Sequence, residues 1–145
     1  MYNKILVPLD GSKRAEAILG HVEELALHGG KELILMQVVE PVHVSGPRGL
    51  DMDMYVKLTD QKTEQAKEYL TGLEGTFRKK GIETHVHVTQ GPVVEAILNA
   101  AQARDVDLIA IASHGRGGLS QLFYGSVAVG VLHRADRPLL VVRSV

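Results

Sequence analysis

Short runs of β-branched and other apolar residues alternate along this chain with stretches whose apolar residues recur at helical spacing. Four such runs are each followed by a helical stretch, and a fifth run comes last. The predicted strands are residues 4–9, 33–39, 82–89, 107–113 and 139–142. Strands that alternate with helices favour a parallel sheet covered on both faces, so the pattern predicts a doubly wound α/β fold.

The stretches between these strands predict four helices and one long loop. Ser12 is expected to cap the first helix, and Pro92 to lie in the first turn of the third helix. The fourth helix is predicted over residues 126–134. Residues 40–55 are mostly polar and contain two prolines and two glycines, which predicts a loop of unusual length.

The third predicted strand alternates strictly between apolar and polar residues. Ile82, Thr84, Val86 and Val88 face one way, and Glu83, His85 and His87 face the other. Alternation indicates one wet face, so this strand is predicted at a sheet edge. Two histidines on one face could bind a metal as a pair. Because no third ligand lies nearby in the sequence, a solvated face is the favoured interpretation.

Ligands of doubly wound sheets bind beyond the carboxyl ends of the strands. Two turns are expected there: Asp10-Gly11-Ser12, after Pro8 ends the first strand, and residues 113–118, with three glycines in four residues. Gly125 and Ser126 then start a helix, whose first amides favour an anion. These glycines fit a phosphate site or a tight turn that needs positive φ, and spacing alone leaves both open. The sequence contains neither a Walker loop nor a G-x-G-x-x-G fingerprint.

These residues resemble the universal stress protein family, in its nucleotide-binding branch. The resemblance covers essentially the whole chain, through residues 5–12, 38–41, 113–118 and 125–126. The family's ATP motif is Gly, two residues, Gly, nine residues, Gly, then Ser or Thr. Gly115, Gly125 and Ser126 match this spacing, but Ala112 replaces the first glycine. Its methyl group would crowd ribose or phosphate, or be harmless if it points into the sheet.

The resemblance implies a fold, a ligand and a partner. The fold is one domain over residues 1–145, with a five-stranded parallel sheet in the order 3-2-1-4-5. The ligand is ATP, or AMP or ADP, accompanied by Mg²⁺, and the partner is a second copy paired through Leu139 to Val142. Asp10 would lie near adenosine and Val38 on adenine. The expected binding residues are Leu9, Asp10, Val38, Ala112, Ser113, His114, Gly115, Arg116, Gly118, Gly125, Ser126 and Val127.

Several of these residues also have plainer interpretations. Asp10 could only cap the first turn, although its place at the expected crevice favours a ligand role. His114 has no partner acid in view, so a turn residue is favoured over a general base. Arg116 fits a phosphate contact and a solvated loop tip equally well.

Composition narrows the possible partners and locations. The chain has 145 residues, with 16 basic and 17 acidic ones, and this balance argues against a nucleic-acid binder. It contains no cysteine, which excludes disulfides and suits a reducing cytosol. The first apolar run is too short for a signal peptide, and no stretch approaches a membrane span. We therefore expect a cytoplasmic protein without nucleic-acid or membrane partners.

The sequence favours a binding module over an enzyme. It has no Walker-type lysine, and Asp10 is the one carboxylate expected at the crevice, so no catalytic residue is assigned and slow ATP hydrolysis is the most that is expected. Two alternatives stay open. One is an ATP hydrolase or nucleotidyl-transferring enzyme on the same fold, and the other is a nucleotide-free dimeric interaction protein.

Overall fold

A computed structural model describes residues 2–29, 32–41, 52–114 and 125–144. Within them lie five strands: β1 (Lys4–Leu9), β2 (Glu32–Val39), β3 (Glu83–Gln90), β4 (Leu108–His114) and β5 (Leu139–Ser144). The helices are α1 (Leu19–Leu27), α2 (Met52–Lys79), α3 (Val93–Ala103) and α4 (Ser126–Arg134), and a 3₁₀ turn at Ala15–Ile18 precedes α1. Among the described helices, none is both long enough and apolar enough to cross a membrane.

The five strands form one parallel sheet in the order β3-β2-β1-β4-β5. This order confirms the predicted doubly wound α/β fold. It also confirms that the alternating strand β3 lies at an edge, with β5 at the opposite edge.

Apolar side chains cover both faces of the sheet. The 3₁₀ turn, α1 and α2 pack on one face, where Ile18, Val22 and Leu70 are fully buried against strand residues. Helices α3 and α4 pack on the other, through residues such as Ile97 and Val131. These fully apolar contacts account for the β-branched runs of the central strands, which are buried on both sides.

The two central strands separate at their carboxyl ends. β1 pairs with β2 along its whole length, but with β4 only at Ile5 and Leu6. Pro8, two residues further on, has no N–H with which to extend the ladder to β4. The expectation that β1 leaves the sheet at Pro8 therefore holds on the β4 side, although Pro8 still pairs in register with Met36 of β2.

The predicted bounds of β2, β3, β4 and β5 are wrong by one or two residues, and three further predicted boundaries are also wrong. The loop predicted over residues 40–55 ends earlier, because α2 begins at Met52, with Asp53 in a first turn that favours negative charge. Residues 42–51 lie outside the described part of the chain. The first predicted helix is a 3₁₀ turn followed by α1. Pro92 is the residue before α3, with extended backbone (φ −63°, ψ 134°), and not part of its first turn.

Candidate functional site

A cleft lies where β1 and β4 separate, on the sheet face covered by α3 and α4. We call it the switch-point cleft. The space between its atoms, including its solvent-open mouth, is about 690 Å³. The position is the one at which doubly wound sheets bind ligands.

One wall of the cleft is apolar. Met36 and Val38 come from β2, Ile111 from β4, and Val93 and Ile97 from α3. Residues two apart on a strand share a face, and so do residues four apart on a helix. Met36 and Val38 therefore face the cleft together, as do Val93 and Ile97. A wall of this kind suits a flat apolar ring.

The turn after β1 supplies polar groups to the cleft. Asp10 Oδ1 accepts hydrogen bonds from the backbone N–H of Ser12 (2.9 Å) and from its hydroxyl group (2.6 Å). Ser12 Oγ in turn accepts from the backbone N–H of Ala15 at 3.2 Å. Asp10, Ser12 and Arg14 all line the cleft. Asp10 therefore orders the turn and lies at the cleft, so the two interpretations of this residue are compatible.

Helix α4 directs its amino-terminal end at the cleft, which Gly125, Ser126, Val127 and Ala128 line. Gly125 precedes the helix with φ 84° and ψ 148°, a conformation that essentially only glycine adopts. Gly125, the residue before α4, supplies no side-chain cap to the helix. The first amides of a helix together with its dipole favour an anion.

Ser113 adds a buried polar atom to this cleft. Its side chain is 2% exposed, and within the described residues its Oγ has no hydrogen-bond partner. A buried hydroxyl without a partner costs free energy, and a polar ligand group in the cleft would satisfy it. The switch-point cleft thus combines an apolar wall, an anion-favouring helix end and a buried hydroxyl that has no partner among the described residues.

Although Ala112 lines the cleft, its methyl group lies on the opposite face of β4 from Ile111 and Ser113. Ala112 packs against the core cluster on the opposite face, which includes Ile5, Val7 and Ala110. Only one face of β4 carries Ile111 and Ser113 to the cleft, because neighbouring residues of a strand point to opposite faces. The geometry therefore favours a harmless methyl group that points into the sheet over one that crowds ribose or phosphate.

The structure brings most of the expected binding residues together. Leu9, Asp10, Val38, Ala112, Ser113, Gly125, Ser126 and Val127 line the switch-point cleft. His114 is described only as a β4 residue that pairs with Ser144. Gly115, Arg116 and Gly118 lie outside the described residues, so the glycine-rich loop itself stays a prediction.

Sequence reasoning missed about half of the lining. The missed residues are Pro8, Ser12, Arg14, Ala15, Met36, Val93, Ile97, Ile111 and Ala128. Two signals could have found some of them. Met36 is two residues before Val38 on the same strand face, and Ile97 follows Val93 by one helical turn.

A tyrosine on the long helix α2 connects it to the 3₁₀ turn before α1. Tyr69 donates a hydrogen bond from its hydroxyl to Glu16 Oε2 at 2.5 Å. Burial raises the pKa of Tyr69 above its ordinary value, and the hydrogen bond to Glu16 and the negative charges of Glu16 and Asp10 raise it further. Tyr69 therefore stays protonated over the whole physiological range and acts as a donor.

Comparison with known proteins gives a consistent result. The profile of the universal stress protein family matches residues 1–143. The chain is 29% identical to universal stress protein MJ0577 of Methanocaldococcus jannaschii, over 99% of this chain and 96% of that protein. It is 32% identical to universal stress protein YxiE of Bacillus subtilis, over 99% of this chain and 100% of that protein.

Solved structures agree. The structure of MJ0577 superposes with a TM-score of 0.86 and 29% identity, covering 100% of this chain and 98% of that one. A universal stress protein from Archaeoglobus fulgidus, solved in complex with dAMP, has a TM-score of 0.66 and 26% identity, with 97% of each chain covered.

Proposed function

Because the chain belongs to the universal stress protein family, we propose that it is a regulatory module that binds an adenine nucleotide, ATP in the first instance, in the switch-point cleft. The observation that carries this proposal is the meeting of an apolar wall and the start of helix α4 in one cleft. The Archaeoglobus fulgidus relative in complex with dAMP supports it.

The residues of the cleft divide naturally between the parts of a nucleotide. Adenine lies against Met36, Val38 and Ile97, because these are apolar side chains of the wall. Asp10 accepts hydrogen bonds from the ribose hydroxyl groups, in addition to those from Ser12. Ser113 Oγ gains the partner that it lacks among the described residues.

The phosphates lie at the start of α4, beside Gly125 and Ser126. Backbone amides at a helix start bind phosphate oxygens, and a glycine allows the backbone to approach closely. Mg²⁺ carried by the triphosphate neutralises part of its charge. Gly115, Arg116 and Gly118 belong to this part of the proposal on the strength of the family motif.

Binding, rather than turnover, is the proposed activity. Along the described lining of the cleft, Asp10 is the one carboxylate and its Oδ1 is already hydrogen-bonded to Ser12. Arg14 is the one basic residue there, and no lysine or histidine is present. ATP hydrolysis needs an oriented water and a base or charge clamp. We therefore expect phosphate release well below the enzyme range of about 1–1000 per second. A rate within that range, abolished by Asp10→Asn, would instead establish the alternative of an ATP hydrolase.

We also propose that the protein pairs with a second copy through β5 in the cytoplasm. Residues Leu139 to Val142 are only half-buried although they are apolar, and β5 is a sheet edge. Exposed apolar edges invite pairing with another strand. Sedimentation at micromolar concentration should give a dimer, and Val141→Pro, which removes a strand amide, should shift it to monomer. A monomeric unmodified protein would contradict the homodimer and favour a monomeric binding module.

The test of nucleotide binding uses the protein as purified. Mass spectrometry of the supernatant after acid precipitation should detect an adenine nucleotide. After the ligand has been removed, ATP with Mg²⁺ at about 100 times its Kd should raise the free energy of unfolding by about 2.7 kcal/mol. Absence of both effects would refute the proposal and favour the nucleotide-free interaction protein.

A further inference from the structure

A second group of polar side chains lies at the amino-terminal ends of β2 and β3, at the opposite end of the strands from the switch-point cleft. Glu32 and Glu83 begin these two strands and pair in register, and His85 follows Glu83 by two residues. Paired residues of neighbouring strands, and residues two apart on one strand, point to the same face. The register of β2 with β3 therefore places all three side chains together. We call them the edge triad.

The spacing of the triad matches that of metal ligands. His85 Nε2 lies 3.2 Å from Glu83 Oε1 and 3.5 Å from Glu32 Oε1, and the three donor atoms lie within 4.8 Å of one another. Zinc bonds of about 2.0–2.2 Å in a tetrahedron place two ligand atoms about 3.3–3.6 Å apart. Both measured separations are close to that value. The side chain of Glu83 is 68% exposed, so it can rotate to bring its oxygen nearer to that of Glu32.

The charges of the triad also fit a divalent cation. A metal ligand must be deprotonated, and with the imidazole in the neutral form that binds a metal, the two carboxylates give the triad a charge of −2. Within residues 2–29, 32–41, 52–114 and 125–144, the ion-pair partner of both Glu32 and Glu83 is His85 itself. Two cations of the described residues are engaged elsewhere: Arg104 Nη2 contacts His87 Nδ1 at 3.2 Å, and Lys4 Nζ contacts the Arg104 carbonyl oxygen at 3.4 Å.

We propose that Glu32, Glu83 and His85 bind a divalent transition-metal cation, with Zn²⁺ as the expected ion, which links β2 to β3 at the edge of the sheet. One imidazole with two carboxylates suits Zn²⁺, whereas Mg²⁺ and Ca²⁺ prefer sites made of oxygen ligands alone. The sequence interpretation of a solvated face for His85 considered only ligands close by in the sequence. Glu32, from the neighbouring strand, lies 51 positions before Glu83 and is invisible to that reasoning.

His87 provides a matched control within the same strand. It lies on the same face of β3, two residues beyond His85, and its Nδ1 is occupied by Arg104. Replacing His87 therefore removes an imidazole from this face without removing a member of the triad. Glu32→Gln is the second test variant, since it retains the size of the side chain and loses the charge.

The experiment is a calorimetric titration of the chelator-treated, nucleotide-free full chain with zinc chloride. Imidazole nitrogen NMR signals are recorded at one molar equivalent. The unmodified protein and His87→Ala should bind one Zn²⁺ with similar affinity, and the His85 Nε2 signal should shift. His85→Ala and Glu32→Gln should each lose at least tenfold in affinity. Magnesium chloride should neither compete nor shift the His85 signal.

Three results would contradict the proposed zinc site. They are unaltered zinc affinity in both His85→Ala and Glu32→Gln, no zinc binding by the unmodified protein, or an equal loss in His87→Ala. Thermal unfolding without metal shows whether each variant is folded. His85 is partly exposed at a sheet edge, so a folded His85→Ala protein is expected.

Discussion

Asp10 and Ser12 form a closed hydrogen-bonded turn at the end of β1, in which one carboxylate oxygen accepts from both the amide and the hydroxyl of Ser12. The turn holds Asp10 at the mouth of the switch-point cleft. A single carboxylate thus has a structural and a proposed ligand-binding role, and substitutions can separate the two.

Asp10→Asn should weaken nucleotide binding more than it weakens the fold. The Asn side-chain oxygen still accepts from Ser12, but the charged acceptor for ribose is lost, and hydrogen bonds to charged groups contribute roughly 1.5–3 kcal/mol. We therefore expect a loss of roughly tenfold to a hundredfold in ATP affinity by calorimetry. Ser12→Ala is the control: it should cost about 1 kcal/mol of stability and leave the carboxylate in place. Unaltered ATP affinity in Asp10→Asn would restrict Asp10 to its turn.

Gly125→Ala should abolish nucleotide-dependent stabilisation. Its backbone, at φ 84° and ψ 148°, strains any residue with a Cβ by about 1–3 kcal/mol, and the start of α4 must shift to relieve that strain. The measurement is thermal unfolding with and without ATP. Gly20→Ala is the matched control, because Gly20 lies in α1, where an added methyl group would meet open space and should stabilise the helix by up to about 1 kcal/mol. A Gly125→Ala protein that still responds fully to ATP would argue against the helix start as the phosphate site.

Ala112→Gly restores the family's motif at its one departure, yet it should not improve ATP affinity. The Ala112 methyl group packs on the core cluster of the opposite face, so removing it opens no space in the cleft. We expect Kd for ATP to change less than twofold, and stability to fall by about 0.5–1 kcal/mol because glycine is more flexible in the unfolded chain. A large gain in ATP affinity would show that the methyl group crowds the ligand after all.

The fold and the switch-point cleft show which features the sequence can predict. The doubly wound fold and the cleft position follow from local patterns, because apolar runs and turns are encoded by neighbouring residues. The strand order was predicted from the resemblance to the family. Contacts between segments that are distant in the sequence are not encoded by neighbouring residues. For this reason neither the place of Ile97 in the cleft nor the contact between Glu32 and His85 was predicted. The start of α2 at Met52 was missed for a different reason. The glycines and prolines at positions 41–49 suggested a loop that continued too far.

Tyr69 should make the protein sensitive to alkaline pH. Its pKa is raised in the folded state, so its contribution to stability is fully present below the unfolded value of about 10 and is lost as pH rises through the folded value. Tyr69→Phe should lower the free energy of unfolding by roughly 1 kcal/mol at neutral pH. The loss is small because the pair with Glu16 is only partly buried. The substitution should also flatten the decline in stability above pH 10. Urea unfolding at pH 8 and above pH 10 measures both effects, and parallel declines in the two proteins would contradict this role of Tyr69.

The most direct test of the account is isothermal titration of the nucleotide-free protein with ATP and Mg²⁺, repeated with Ile97→Asp. Ile97 lies on the apolar wall, so a charge there should block the adenine ring. We predict one nucleotide per chain for the unmodified protein and a loss of at least a hundredfold in affinity for Ile97→Asp, with thermal unfolding confirming that the variant is folded. Because Ile97 is fully buried, Ile97→Ser is measured beside it as the milder substitution, with an intermediate loss expected. Absence of ATP binding by the unmodified protein, or equal affinity in folded Ile97 variants, would contradict adenine-nucleotide binding in the switch-point cleft.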